Sequence, residues 1–268
     1  FMKEVSIRLL SGVLYVSLVL LSLFTSIEWY LILIFCLASI TVHEFLKLIS
    51  IRGVVPYILV VIPFYFIAFN SIDYYLLYSL LFFSILINIF LFRDVILLDK
   101  ITFFKSKPYL YIIFYIISGF IFLTLIPSIG STFQPELILG IFTLTWTNDT
   151  FAYLIGKKFG KKKLKENISP KKTIEGFIGG LIAVLVAGVI IFNTTLLYSH
   201  VFWLILALLV SVFGTTGDLI QSKFKRLAGV KDSGRMMPGH GGIYDRLDSI
   251  IFASPFIYLF IIFINYVS

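Results

Sequence analysis

The stretch Tyr74–Phe92, YYLLYSLLFFSILINIFLF, decides the fold, because nineteen residues pass without one charged side chain. A helix crosses a bilayer core with about 20 apolar residues, and a run of this kind has no place on a water-facing surface. The same texture recurs on both sides of it. Nine segments share it: Ile7–Ser26, Trp29–Leu46, Val54–Phe69, Tyr74–Phe92, Tyr109–Pro127, Leu137–Ile155, Gly176–Leu197, Val201–Leu219 and Ser249–Val267. The third is short and carries Pro56 and Pro63, so it reads as a tilted or buried piece.

Composition agrees with this reading. Of 268 residues, 59% are hydrophobic and 13% charged, with a mean hydropathy of +1.02, too little polar surface for a soluble domain of this length. The expected fold class is an all-α polytopic membrane protein with about nine transmembrane helices. Basic residues precede the first apolar stretch, as in a signal peptide, but no small-residue cleavage pattern stands before Glu28. It reads as a retained span. The single cysteine, Cys36, excludes a disulfide framework and a thiolate metal site.

Cytoplasmic loops retain Lys and Arg during insertion, and the 22 basic residues here fall in alternate loops. Lys3 and Arg8, Lys47 and Arg52, and the group Arg93, Lys100, Lys105 and Lys107 mark one side. Fourteen more lie in two long loops on that side, Lys157–Glu175 and Gln221–Asp248. The turns near Ser26, Ser71, Ser128 and Ser199 and the C-terminal tail have none. This pattern puts the N-terminus in the cytoplasm and the C-terminus outside. The net charge of +8 thus marks one working face, which suits membrane lipids and small anions, not nucleic acid.

The two long loops carry the chemistry. Gly217-Asp218-Leu219-Ile220-Gln221-Ser222-Lys223-Phe224-Lys225-Arg226 leaves the eighth span, and Lys231-Asp232-Ser233-Gly234 followed by Pro238-Gly239-His240-Gly241-Gly242-Ile243-Tyr244-Asp245-Arg246-Leu247-Asp248 enters the ninth. Asp245 and Asp248 are three apart, on one helical face. The loop returns them to the depth of Asp218. Three such carboxylates either bind Mg²⁺, which prefers oxygen ligands and shares substrate phosphates, or pair with Lys225, Arg226 and Arg246. The Pro-Gly-His-Gly-Gly turn lets backbone approach a ligand closely.

A second cluster, Ser169-Pro170-Lys171-Lys172-Thr173-Ile174-Glu175-Gly176, reads both as an anion site and as ordinary N-capping chemistry at the start of span seven. Asn148 and Asp149 lie inside span six and are expected to face the same polar interior. His43-Glu44 opens like a zinc-binding helix, but Lys47 stands where a second histidine would be needed, so a buried polar contact is expected. No Walker-type nucleotide loop and no serine–histidine–carboxylate grouping occurs.

These residues together resemble the phosphatidate cytidylyltransferase family. The matching signature is Ser222, Lys225-Arg226, Lys231-Asp232, Pro238-Gly239-His240-Gly241-Gly242, Asp245-Arg246 and Asp248, preceded by Asn148-Asp149-Thr150, Ala152-Tyr153, Gly156, Phe159-Gly160, Ser169-Pro170-Lys171-Lys172-Thr173 and Glu175-Gly176. It covers the C-terminal half; the first 130 residues match only as hydrophobic spans. Gln221 departs from the Glu that many members carry. The resemblance implies transfer of the cytidylyl group of CTP to phosphatidic acid, giving CDP-diacylglycerol and pyrophosphate.

On that basis Mg²⁺ is expected on Asp218, Asp245 and Asp248, with a second cation possible. Phosphates are expected on Lys171, Lys172, Lys225, Arg226 and Lys231. Ser169, Thr173 and Ser222 are expected as hydrogen-bond donors, with His240, Gly241 and Gly242 in the turn. Asn148, Asp149, Glu175 and Asp232 are expected to line the site. Residues 1–130 form N-terminal transmembrane helices and 131–268 a C-terminal transmembrane catalytic region, within one membrane domain. A homodimer is left open. The alternatives are a CTP-dependent transferase acting on another lipid phosphate or alcohol, and a transporter. Against the transporter, the polar residues gather at one face and no inverted repeat is evident.

Overall fold

The structure, a computed structural model, describes all residues except 1, 70, 103–105, 131, 240 and 268, with the side chains of 2–6, 8 and 267 also outside the description. His240, Lys105 and the side chains of Lys3 and Arg8 therefore lie outside the described residues. Nine helices form in chain order among the described residues. They are α1 Met2–Thr25, α2 Ile27–Leu48, α3 Val55–Ala68, α4 Tyr74–Leu97, α5 Pro108–Ser128, α6 Pro135–Phe159, α7 Ile174–Thr195, α8 His200–Leu227 and α9 Tyr244–Val267.

Their starts follow from local chemistry. The Asp73 carboxylate accepts from the Tyr75 and Leu76 N–H groups (2.7 and 3.2 Å) at the head of α4. Thr173 Oγ1 accepts from Gly176 N at α7, and Ser199 Oγ from Phe202 N at α8, each at 3.1 Å. Proline opens α3, α5 and α6, where a missing N–H costs nothing. The final turn of α4, Arg93–Leu97, and the stretch Ile112–Ile117 of α5 are wound as π-helix.

Six helices, α2, α4, α5, α7, α8 and α9, are long and apolar enough to cross a membrane. The apolar part of α1, Leu9–Thr25, and α3 are shorter, while α6 carries Glu136, Asp149, Lys157 and Lys158 within its 25 residues. Large apolar side chains point outward along the lipid-facing sides, among them Phe82, Phe83, Ile182, Ile190 and Phe263. A fold with this surface is an all-α integral membrane protein.

The boundaries shift in a way that matters for the site. Helix α8 runs eight residues past the expected Leu219, and α9 begins at Tyr244, five residues before Ser249. Gln221, Ser222 and Lys225 therefore stand on the same helix as Asp218 and not in a loop. Hydropathy fell there, but the helix continues because Asp218, Ser222, Lys225 and the Gln221 amide nitrogen find partners within the protein. Between α6 and α7 the chain forms an antiparallel hairpin, β1 Lys163–Lys165 with β2 Ser169–Thr173. Pro170 sits in β2, which corrects the expectation that it lies at a helix start; a two-stranded ribbon has free edges that tolerate its missing donor.

Helices α8 and α9 approach closely at Gly217, where a Cβ would press against the Asp248 carbonyl and the Phe252 side chain. That contact brings Asp218 and Asp248 to the same level. Beneath them Phe45, Tyr115, Phe224 and Tyr244 form an aromatic floor, with ring centroids 5.0 Å apart for Phe45–Phe224 and the two tyrosine hydroxyls bonded at 2.9 Å. The basic loops converge at this end of the bundle. At the other end Tyr198 donates to Gln134 (3.1 Å) and the Trp203 indole to the Leu197 carbonyl (2.7 Å).

Candidate active site

Polar groups inside a membrane-spanning bundle must find partners or water, and here they collect around one cavity of about 1030 Å³ at the basic end. Its walls come from α1, α6, the hairpin, α8 and the start of α9. Asn148, Asp149, Lys171, Lys172, Thr173, Asp218, Lys225, Asp232, Asp245 and Asp248 all line it. The structure thus gathers residues from two sequence blocks some 70 positions apart.

The aspartates play unequal parts. Lys172 Nζ sits directly against Asp218 Oδ2, and Ser222 Oγ donates to Asp218 Oδ1 at 3.3 Å. Asp149, Asp218 and Asp248 repel one another across the cavity, with Lys172, Lys225 and Arg246 as the neighbouring cations. Asn148 is buried; its Oδ1 accepts from Ser211 (2.8 Å), and its amide reaches Asp149 (3.4 Å).

Asp245 does something else. Its Oδ1 accepts from Gln221 Nε2 and Lys225 Nζ, both at 2.7 Å, and its Oδ2 from Ser233 N, Ser233 Oγ and Gly242 N at 2.9, 3.0 and 2.9 Å. A carboxylate offers about four lone-pair sites, and these donors fill them. In the unliganded fold Asp245 therefore clips the glycine-rich loop to α8. Gln221 fits this place as an amide donor, so the missing negative charge at 221 has a physical reason.

Other expected site residues stand apart from the cavity. The Arg226 guanidinium donates to the Ile168 and Val230 carbonyls (3.3 and 3.2 Å), so it fastens the hairpin instead of facing phosphate. Glu175 accepts from the Lys161 and Lys162 backbone N–H groups (3.0 and 3.2 Å); it braces the turn that leads from α6 into β1. Ser169, Lys231, Gly241 and Gly242 do not line the cavity. Gly241 closes a tight turn with Met237 through two backbone bonds of 2.9 and 3.1 Å, at a φ of +91° that favours glycine.

Sequence reasoning missed the support from the N-terminal half. Glu44, buried near the end of α2, accepts from Ser233 Oγ (2.9 Å), Ile243 N (3.1 Å) and Tyr244 N (2.9 Å). It therefore caps α9 from a neighbouring helix. The signal was present: an acid in an apolar span requires a partner, as the buried-contact reading of His43-Glu44 anticipated. Replacing Glu44 by Gln is expected to destabilise the fold by about 2–4 kcal/mol, since an amide cannot accept from all three donors. Thermal unfolding in detergent measures this. A second unforeseen clip joins Lys223 Nζ to Asp99 (2.9 Å) and Asn167 to the same carboxylate (3.1 Å). The Lys223 hydrogen bond holds the Asp99 carboxyl below its usual range.

The donor chemistry suits a hard divalent cation. Mutually repelling carboxylates face a lysine ammonium that already occupies a cation position at Asp218. Among the described residues no three Asp, Glu, His or Cys side chains form a ready-made metal cage.

The fold and cavity define a polytopic membrane protein with a lysine- and carboxylate-lined cavity at its helix ends. The chain belongs to the cytidylyltransferase family, whose profile it matches over residues 6–264. It is 32% identical over 274 aligned residues to a phosphatidate cytidylyltransferase of Bacillus subtilis (strain 168), covering 96% of this chain and 97% of that one. It is 48% identical over 132 residues to a phosphatidate cytidylyltransferase of Staphylococcus haemolyticus, covering 47% of this chain and 48% of the relative. Against that of Staphylococcus aureus (strain COL) the identity is 50% over 127 residues, again 47% and 48% of the two chains. The alignment thus spans about half the length of these staphylococcal relatives and nearly all of the Bacillus one.

Proposed function

We propose that the protein transfers the cytidylyl group of CTP to phosphatidic acid, forming CDP-diacylglycerol and pyrophosphate at the cytoplasmic face of a membrane. The observation that carries this reading is the cavity itself: lysines from the hairpin and carboxylates from α6, α8 and α9 face one another at the bilayer boundary. The relatives' names give the same reaction.

A phosphatidate oxygen attacks the α-phosphorus of CTP, the new P–O bond forms, and the bond to the β-phosphate bridging oxygen breaks to release pyrophosphate. The lipid phosphate is already a nucleophile, so the protein supplies alignment and charge neutralisation. Lys171 and Lys172 hold the triphosphate from the hairpin side, and Lys225 bridges the cavity and the Asp245 clip. Asp218 and Asp248 would hold Mg²⁺, together with phosphate oxygens, and Asp149 would hold its waters or a second cation. Bound there, Mg²⁺ would supply charge neutralisation for the α-phosphate and the departing pyrophosphate. Residues 131–268 carry this chemistry, and residues 1–130 brace it within the same membrane domain.

All nine helices cross the bilayer in this reading, with the N-terminus and the basic loops in the cytoplasm and the C-terminus outside. CTP then reaches the cavity from water, and phosphatidate reaches it from the inner leaflet. The experiment is product formation from labelled CTP and dioleoyl phosphatidic acid, with and without Mg²⁺, in detergent and in sealed inverted vesicles. Mg²⁺-dependent CDP-diacylglycerol in both is the expected result. Product only with another lipid phosphate would change the substrate. No product from folded protein would sink the reading, and product in detergent but not in inverted vesicles would reverse the orientation.

A further inference from the structure

The strongest unexplained feature is a hydroxyl. Tyr15 lies on α1, lines the cavity, and packs its ring edge-on against Trp146 of α6, with centroids 6.4 Å apart. Its hydroxyl oxygen is shut off from solvent and has no hydrogen-bond partner among the described residues. A buried hydroxyl without a partner is unfavourable, and nothing in the packing needs the oxygen, since the ring alone makes the contact with Trp146. The Arg246 guanidinium is its electrostatic neighbour.

Depth identifies the ligand. Ser11, one helical turn before Tyr15, donates to the Pro238 carbonyl of the glycine-rich loop (3.1 Å), so that part of α1 lies at the level of the loops. Tyr15 is about one turn deeper in the bilayer. Trp146 stands about one turn deeper than Asp149, because α6 runs toward the basic end. The cavity is therefore polar and lysine-rich at the hairpin and aromatic at the α1–α6 seam, with Gly12 and Val16 beside Tyr15. An anion with apolar tails fits this gradient, head toward Arg246 and tails along the seam.

We propose that Tyr15 is a specificity-determining residue whose hydroxyl, closed over in the unliganded fold, donates a hydrogen bond to the phosphate of the lipid substrate once its chains part the α1–α6 seam. This rests on the cytidylyl-transfer reading. It places the two substrates on opposite sides of Asp218, with the nucleotide triphosphate on the hairpin lysines and the lipid phosphate on α1 and α9.

The test is Tyr15→Phe, which removes one oxygen that has no partner among the described residues and keeps the ring. A purely structural role predicts unchanged kinetics and equal or slightly raised thermal stability. The expected result is a fall of roughly tenfold or more in kcat/KM for phosphatidate, the size of a lost bond to a charged acceptor, with KM for CTP unchanged within about twofold. Unchanged constants for both substrates would overturn the inference while leaving the reaction intact, and so would a change confined to CTP. A wild-type protein inactive on every lipid phosphate is a different outcome, which removes the reaction and this subsite together.

Discussion

Asp218→Asn is expected to lower kcat by about 10³-fold while changing the stability of the protein by about 1 kcal/mol or less. The two halves of this result have one cause. Asp218 repels Asp149 and Asp248 but attracts Lys172 and Lys225, so removing its charge relieves the repulsion and gives up the attraction together in the unliganded fold. Its pairing with Lys172 is partly solvent-exposed, with side-chain exposures of 32% and 24%, and pairs of that kind contribute little to stability. In the proposed turnover the same charge would hold the cation and set Lys172 toward the phosphates. Loss of one preorganised electrostatic group of this sort costs about 10²–10³ in rate, and loss of the cation adds to it. Steady-state kinetics and thermal unfolding in detergent read both halves. Retained activity would remove Asp218 from the site, and a large drop in stability would make it a structural residue.

The legible parts of this protein were those written in local pattern. Apolar runs gave the helices, six of which are long and apolar enough for a bilayer that demands about 20 apolar residues of each crossing. The spacing of Asp245 and Asp248 gave a helical face, and α9 does begin in time to hold both. What could not be read was direction. Asp245 and Asp248 share a helix, yet the first turns into the glycine-rich loop and the second toward Asp218, a distinction set by Lys225, Gln221 and Ser233 from elsewhere in the chain. Arg226 and Lys225 are adjacent in sequence, and only Lys225 faces the cavity. The hairpin was hidden because its lysines carry no strand pattern; it forms since Glu175 and Arg226 hold its backbone from outside. Glu44 and Tyr15 belong to spans whose hydropathy says only that they are membrane helices, and their partners lie about 190 and 130 positions away along the chain.

The assignment of Asp245 as a clip can be separated from metal binding by a double substitution. Asp245→Asn keeps one acceptor oxygen but places an NH₂ group among donors, and it leaves the Lys225 ammonium without its countercharge in a site where the two side chains are 12% and 6% exposed. Breaking a buried pair from one side costs about 3–5 kcal/mol, so the single variant is expected to unfold at markedly lower temperature and to lose activity with the loop. Lys225→Met in the same chain removes the stranded charge. The double variant is expected to regain at least about 1–3 kcal/mol relative to the sum of the single effects, the coupling of two groups in direct contact. Activity is not expected to return, because Lys225 also faces the cavity. The contrary pattern is equally readable: Asp245→Asn with wild-type stability and no turnover would make Asp245 a direct ligand of the catalytic cation, with its contacts to Ser233 and Gly242 exchanged for the metal when substrate binds.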